Sequence, residues 1–572
     1  MKNHALSIFN FRPMNYFFLF CCSVFLSLSM NAQVVRKENL SKKDVVYWDF
    51  KKTKVQSTGA YYKDELGETK ERHGKWEFYN EFGDLEEVRN FYRGKLHGQV
   101  KLTYASGTPR QEGYFIQNAQ DSIYREWYEN GKLTVEGYYK KNKPFAIWKR
   151  FYLNGKEESV EEYIDTVNYV KSFWLNDSLH TQKIVNGSGT KLTYYPNGKL
   201  KEKYNYEEGL RHGSFEEWSI GGYLLLTGNF KNERKDGEWK YYYYTGDLEK
   251  ISHYKNGVLE GAYSYYYDNK VLNVSGNYHL GKKEGKWSWF TNKGTKDMEG
   301  NFLENLQDGD WTYYYPTGEV SYTAQFKADK KHGKWEYFYK NKQQFKVGTF
   351  ADNEKEGEWK TWYENGTLLM EGKYAKGKEQ GVWKNYWENG LLKNQSTFTN
   401  GELNGKWLSY NTQGGIMLEG AYKKGLKVGK WVRFMEKNSN QIEEIKTYKV
   451  ITIKSTANSG FSKNRKITES VLHGKFVAYD QKDFQKSEEG TYKLGEKEGK
   501  WTAFYPGGIL PAVVSSYKLG KLDGVLIEYG RKGEKMSETT FKNGVKDGPL
   551  KIYNREGKVK LTKMFSNGQE VQ

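Results

Sequence analysis

The amino-acid sequence predicts an all-β protein: an elongated, twisted, single-layer antiparallel sheet built from about 19 tandem β-hairpin repeats of 24 residues. Three observations carry this expectation. The chain is self-similar at a fixed period, each period holds two strand-type runs split by a turn signal, and the apolar content is aromatic rather than aliphatic.

The period comes first. Aligned on the glycine before the first ring, such as Gly357 in EGEWKTWYENG, equivalent positions fall every 24 residues from 74 to 146 and from 189 to 429, then at 474, 499, 524 and 548. Within a unit, Asn-Gly between two runs of strand formers is a strong hairpin signal. Pro196 and Pro316, in YPNGK and YPTGE, suit the first central position of a type I turn, with the next glycine left-handed as a bulge. A second connection rich in Gly and Lys, as in HLGKKEG at residues 279–285, returns the chain to the following strand. A lone hairpin is marginal in water, so each unit depends on its neighbours. At ~4.8 Å per strand the ribbon would extend on the order of 180 Å before twist.

The segments then follow in order. Residues 1–32 read as a signal peptide: Lys2 and Arg12 precede the apolar run at 16–30, and cleavage falls near Ala32. Residues 33–71 form an N-terminal cap or degenerate repeat, 72–155 are repeats, and 156–186 are a degenerate repeat or insertion. Repeats resume over 187–436, an insertion covers 437–469, and repeats complete 470–572. The leader implies export, to a periplasmic, cell-surface or extracellular location. No later apolar run reaches membrane-spanning length.

Composition excludes several function classes. Hydrophobic residues are 37% and mean hydropathy is −0.90, yet 18 Trp, 48 Tyr and 30 Phe argue against disorder. Cys21 and Cys22 both lie in the leader, so the mature chain has no thiol chemistry and no Cys-based metal site. Losing Lys2 and Arg12 takes the formal charge from +19 to +17. Spread along the ribbon, this is a diffuse field rather than a nucleic-acid groove. The sequence contains no nucleophile elbow, phosphate loop or zinc-protease motif, and the expectation is a non-enzymatic protein without cofactors. His73, His97, His212, His332 and His473 precede the reference position, but Asp236, Glu284, Glu356 or Asn404 take that place elsewhere. That interchange points to a polar turn residue, not a metal ligand.

Strand alternation puts Trp359 and Trp362 on opposite faces. A bulged turn would group Trp362 with Leu368, Gly372 and Tyr374, whereas a two-residue turn would group the Trp359 column with them. The first arrangement is expected. It leaves Trp239, Trp287, Trp311, Trp335, Trp359, Trp383, Trp407 and Trp431 as candidate partner-contact residues.

The stretch EGKYAKGKEQGVW at residues 371–383 resembles MORN-repeat proteins, whose units share the order Gly-x-Tyr/Trp-x-x-Gly-x-x-x-Gly. With Trp383, Trp407 and Trp431 where a second closing glycine is usual, it is similar to the bacterial MORN-repeat variant, often labelled an antitoxin component of toxin-antitoxin systems. The resemblance runs from about residue 72 to the C-terminus. It implies a hairpin-repeat scaffold acting in protein or membrane contact. The function expected is an exported scaffold that meets a protein or envelope component through aromatic and basic faces. Two alternatives stand beside it: a carbohydrate- or cell-wall-binding repeat protein, and an antitoxin-like component.

Overall fold

The computed structural model describes residues 35–454 and 466–572. The leader expected at 1–32 lies outside the described residues. The described chain is all-β, with 45 strands, one short 3-10 turn at Lys37–Asn39 and no α-helix. The strands run antiparallel in tandem hairpins and form open sheet, not a barrel. Two compact units are distinguished, one ending at Gly237 and the other beginning at Glu238.

One repeat explains the rest. Strands Glu354–Trp362 and Leu368–Ala375 are joined by the expected bulged type I turn. The Gly366 N–H donates to the Tyr363 carbonyl (3.0 Å) and the Tyr363 N–H to that of Thr367 (2.8 Å). Gly366 takes φ +86°, a conformation that favours glycine, and the Asn365 side chain accepts the Thr367 N–H at 2.9 Å. The second connection is a two-residue primed turn with both residues left-handed, Lys376 at φ +48° and Gly377 at φ +72°. Strand Lys378–Tyr386 then opens the next unit.

The register corrects the expected grouping of side chains. Trp362 pairs with Leu368, as the bulged turn requires, but Thr361 pairs with Met370 and leaves Leu369 extra. This second irregularity cancels the offset of the turn. Trp359 therefore pairs with Gly372, and Gly357 with Tyr374. The Trp359 column, not the Trp362 column, shares its face with the closing glycines and tyrosines.

The irregular segments also form strands. In residues 35–71, Gly59 lies under the Trp76 ring and the Ala60 carbonyl accepts the Trp76 indole N–H (2.9 Å), as closing residues do in the regular units. Residues 156–186 contain strands Glu157–Ile164, Val167–Trp174 and Gln182–Val185. There buried Glu161 occupies the closing-glycine place, held by Ser159 Oγ and Asn168 Nδ2 (each 3.0 Å) and faced by Arg150 Nε at 3.4 Å. In 437–469, strand Asn438–Lys454 outruns its neighbour and pairs onward with Lys466–Leu472 as a two-stranded arm.

Candidate functional site

Seven of the eight tryptophans proposed as partner contacts are core residues. Trp239, Trp287, Trp311, Trp335, Trp359, Trp383 and Trp431 are 1–4% exposed, and Trp407 is half-buried. A single layer can bury rings this well because most of these indoles lie flat over the closing glycine of the preceding unit, a place taken by Ala324 before Trp335 and by Ser396 before Trp407. A Cβ built on Gly276, Gly300, Gly348 or Gly372 would come within 2.0–2.1 Å of the indole above it. Several indole N–H groups reach the next carbonyl, as from Trp383 to Lys373 (3.2 Å) and from Trp311 to Asn301 (3.1 Å), whereas those of Trp359 and Trp431 meet no acceptor among the described residues. Tyr374 meets Trp383 edge-on at 4.9 Å, and Phe350 meets Trp359 at 5.2 Å.

Lysines cover what remains. The Nζ atoms of Lys283, Lys331, Lys355, Lys427 and Lys497 lie 3.9–4.9 Å from the ring centres of Trp287, Trp335, Trp359, Trp431 and Trp501. Burial lowers the pKa of Lys283 and of Lys427. Further rings on this face occupy one another's faces: Tyr313 and Tyr322 stack at 4.1 Å and 10°. The repeated aromatic face is thus consumed by packing.

Both turn edges are stitched between units. At one, Tyr339 donates its hydroxyl to the Trp362 carbonyl (2.9 Å) and Tyr363 to that of Tyr386 (3.0 Å), a relation repeated by Tyr128, Tyr195, Tyr267 and Tyr315. At the other, the residue before the reference position accepts the N–H of a left-handed turn residue. Glu284 serves Glu304, Asp308 serves Ala328, and Glu356 serves Lys376, at 3.0–3.1 Å. His73 Nδ1 does the same for Arg93 at 3.1 Å. Any acceptor suffices, which is why His, Asp and Glu interchange there.

The opposite face carries ion pairs: Arg125 with Glu136 (2.6 Å), Lys203 with Glu216 (3.2 Å), and Lys384 with Glu371 (3.7 Å). Burial alone would raise the pKa of Glu299, but Lys296 at 2.7 Å, Lys286 at 3.0 Å and the Tyr314 hydroxyl at 2.9 Å bring it down to about 2.

That charged face is interrupted once in the first unit by an apolar patch. Ile123 pairs with Tyr138, Tyr138 with Phe145, and Ile147 follows two residues on. Tyr138 is 42% exposed, Phe145 47% and Ile147 38%. Beside them a cavity of about 530 Å³ is lined by Lys140, Lys143, Phe145, Glu162 and Ile164. The reference position here is not glycine: Ser122 and Ala146 adopt φ +68° and +57°, where a side chain is strained. Sequence reasoning missed this patch. The available signal was the column after the reference position, which is mostly polar, as at Lys286, Lys334 and Glu358, with Val382 among the exceptions, but holds Ile123 and Ile147 in two successive units here.

Residues 120–141, 188–208, 235–256, 307–328, 355–376 and 379–400 match the family described as MORN repeat variant. These six segments are MORN repeats of the variant type. Comparison with curated proteins returned no match. Among solved structures, the MORN-variant chain is similar at 12% identity to a TcdB2-TccC3-Cdc42 crystal structure, over 92% of this chain and 31% of that one, with a TM-score of 0.12. A Photorhabdus luminescens Tc holotoxin pore aligns at 11% identity, 92% and 29% coverage and TM-score 0.13. The chain thus spans about a third of these proteins. Choline binding protein F from Streptococcus pneumoniae aligns at 14% identity over 47% of this chain and 93% of that one, with a TM-score of 0.14. At such scores none of the three carries a functional argument. Among the described residues, no helix is long and apolar enough to cross a membrane, and no group of three or more His, Cys, Asp or Glu could hold a metal ion.

Proposed function

We propose that this MORN-variant chain is an exported, non-enzymatic repeat scaffold that contacts a protein of the cell envelope. The tryptophan column supplies rigidity, and contact is made by the exposed patch of Tyr138, Phe145 and Ile147 with Lys140 and Lys143 at its rim. The observation that carries this reading is the break in chemistry. A face of ion pairs here carries adjoining exposed apolar side chains on neighbouring strands, where the backbone also accepts strain at Ser122 and Ala146, and exposed apolar area bordered by polar groups characterises contact sites.

A glycan is the second reading, favoured by the half-exposed Phe145 and Tyr138 rings. Binding of the purified chain to isolated envelope material tests both. Phe145→Glu together with Tyr138→Ser is expected to abolish retention while leaving the β circular-dichroism spectrum unchanged. Protease treatment of the envelope should remove retention if the partner is a protein, and glycan hydrolysis should remove it under the second reading. Retention unaffected by the double substitution would refute the assignment of the patch.

A further inference from the structure

The arm at residues 448–454 and 466–472 has a built root. In a regular unit the turn glycine closes on the preceding unit, as Gly377 N–H does on the Lys355 carbonyl (2.9 Å). At the arm no turn occupies that place, and the Ser470 hydroxyl donates instead to the equivalent carbonyl, that of Lys427, at 2.6 Å. The arm therefore leaves the sheet from an anchored base.

Its backbone is paired on one side only. The last contact of this strand with Leu426–Met435 is Tyr448 opposite Gly429, and residues 448–454 thereafter pair only with 466–472. The His473 N–H donates to the Thr447 carbonyl at 2.8 Å, so the peptide groups of Thr447, Lys449, Ile451 and Ile453 point toward the arm's second strand. By alternation those of Val450 and Thr452 point away, where no strand among the described residues meets them.

We propose that this free edge pairs with the same edge of a second copy of the chain, antiparallel, about a twofold axis at Thr452. Three features select a copy rather than a foreign strand. Ile451-Thr452-Ile453 reads identically in both directions, so a twofold centred on Thr452 sets each Ile451 opposite the mate's Ile453. The outward peptide groups of Thr452 then meet those of its own mate, the arrangement of a hydrogen-bonded antiparallel pair. Within one arm Ile453 already pairs with Ile467, and both are 42% exposed. Pairing of two arms brings Ile451, Ile453 and Ile467 of each side by side into one apolar strip.

Sedimentation velocity of the full chain over a concentration series, with cysteine cross-linking, tests this. The wild type is expected to show a monomer–dimer equilibrium, and Ile453→Lys, which sets a charge against Ile451 of the mate, to sediment as monomer with an unchanged circular-dichroism spectrum. In a Cys21→Ser, Cys22→Ser background, Thr452→Cys is expected to give a disulfide-linked dimer on mild oxidation, because paired Cα atoms lie ~5.5 Å apart. Thr468→Cys, a strand further from the axis, should give none. A wild type monomeric throughout, a dimer that survives Ile453→Lys, or linkage through Thr468→Cys in place of Thr452→Cys would each overturn the proposal.

Discussion

The indole of Trp383 lies flat on Gly372, so closely that a methyl group added there would sit 2.1 Å from ring atom Cδ2. The same stacking unites Gly276 with Trp287, Gly300 with Trp311 and Gly348 with Trp359, and it is the unit of cohesion between successive hairpins. Gly372→Ala is therefore expected to destabilise the adjoining units by about 1–3 kcal/mol through overpacking. In a Trp383→Ala background the same change should cost much less, since the ring it strikes is gone. A double-mutant cycle by denaturant unfolding measures the coupling.

Trp335 is 4% exposed, under Lys331 and against Phe326 and Phe350. Trp335→Ala should cost about 3–5 kcal/mol of local stability. Hydrogen exchange of strands Lys330–Phe338 and Gln344–Ala351 is the appropriate measurement, because a repeat array opens locally. Unchanged protection in these strands would contradict the core role assigned to the tryptophan column.

Tyr339→Phe removes the hydroxyl that reaches the Trp362 carbonyl. The expected loss is about 1 kcal/mol, the net value of one hydrogen bond. It should appear as faster exchange at the hairpin tips on either side, with the tryptophan fluorescence unchanged.

His73 has an acid-side signature. Burial first, and then the nearby Arg93 charge, hold its pKa below the ordinary 6.5, so the folded state favours the neutral ring that accepts the Arg93 N–H. The unfolded chain takes up its proton first as pH falls. This contribution to stability is complete above about 6.5 and is lost progressively as pH drops from there toward the folded-state pKa. Protection of the Arg93 amide should decline over that window in the wild type. His73→Gln, which keeps an acceptor but cannot titrate, should flatten the decline.

Glu299 behaves in the opposite chemical sense with the same direction in pH. Its carboxylate is held at about 2 against an ordinary 4.5, so its contribution is present above 4.5 and lost as pH falls from there toward about 2. Glu299→Gln is expected to cost about 1.5–3 kcal/mol at neutral pH, the range for hydrogen bonds to a charged group. The difference from wild type should shrink as the solution is acidified below 4.5.

The 24-residue period, the Asn-Gly signals and the ring-rich composition determined by themselves that this chain is a tandem array of antiparallel hairpins, because these are local properties that each unit states again. Turn chemistry was equally local: Gly366 and Asn365 act as their types require. Which face became the core was decided only in the tertiary structure. The extra residue Leu369 shifts pairing by one position, and a shift of one exchanges the faces, so Trp359 rather than Trp362 lies with the closing glycines. No residue type announces that shift; it follows from fitting a flat indole onto a bare backbone in the next hairpin. The residues proposed for contact moved with it, from the buried tryptophans to Tyr138, Phe145 and Ile147, because exposure belongs to the assembled sheet and not to the side chain.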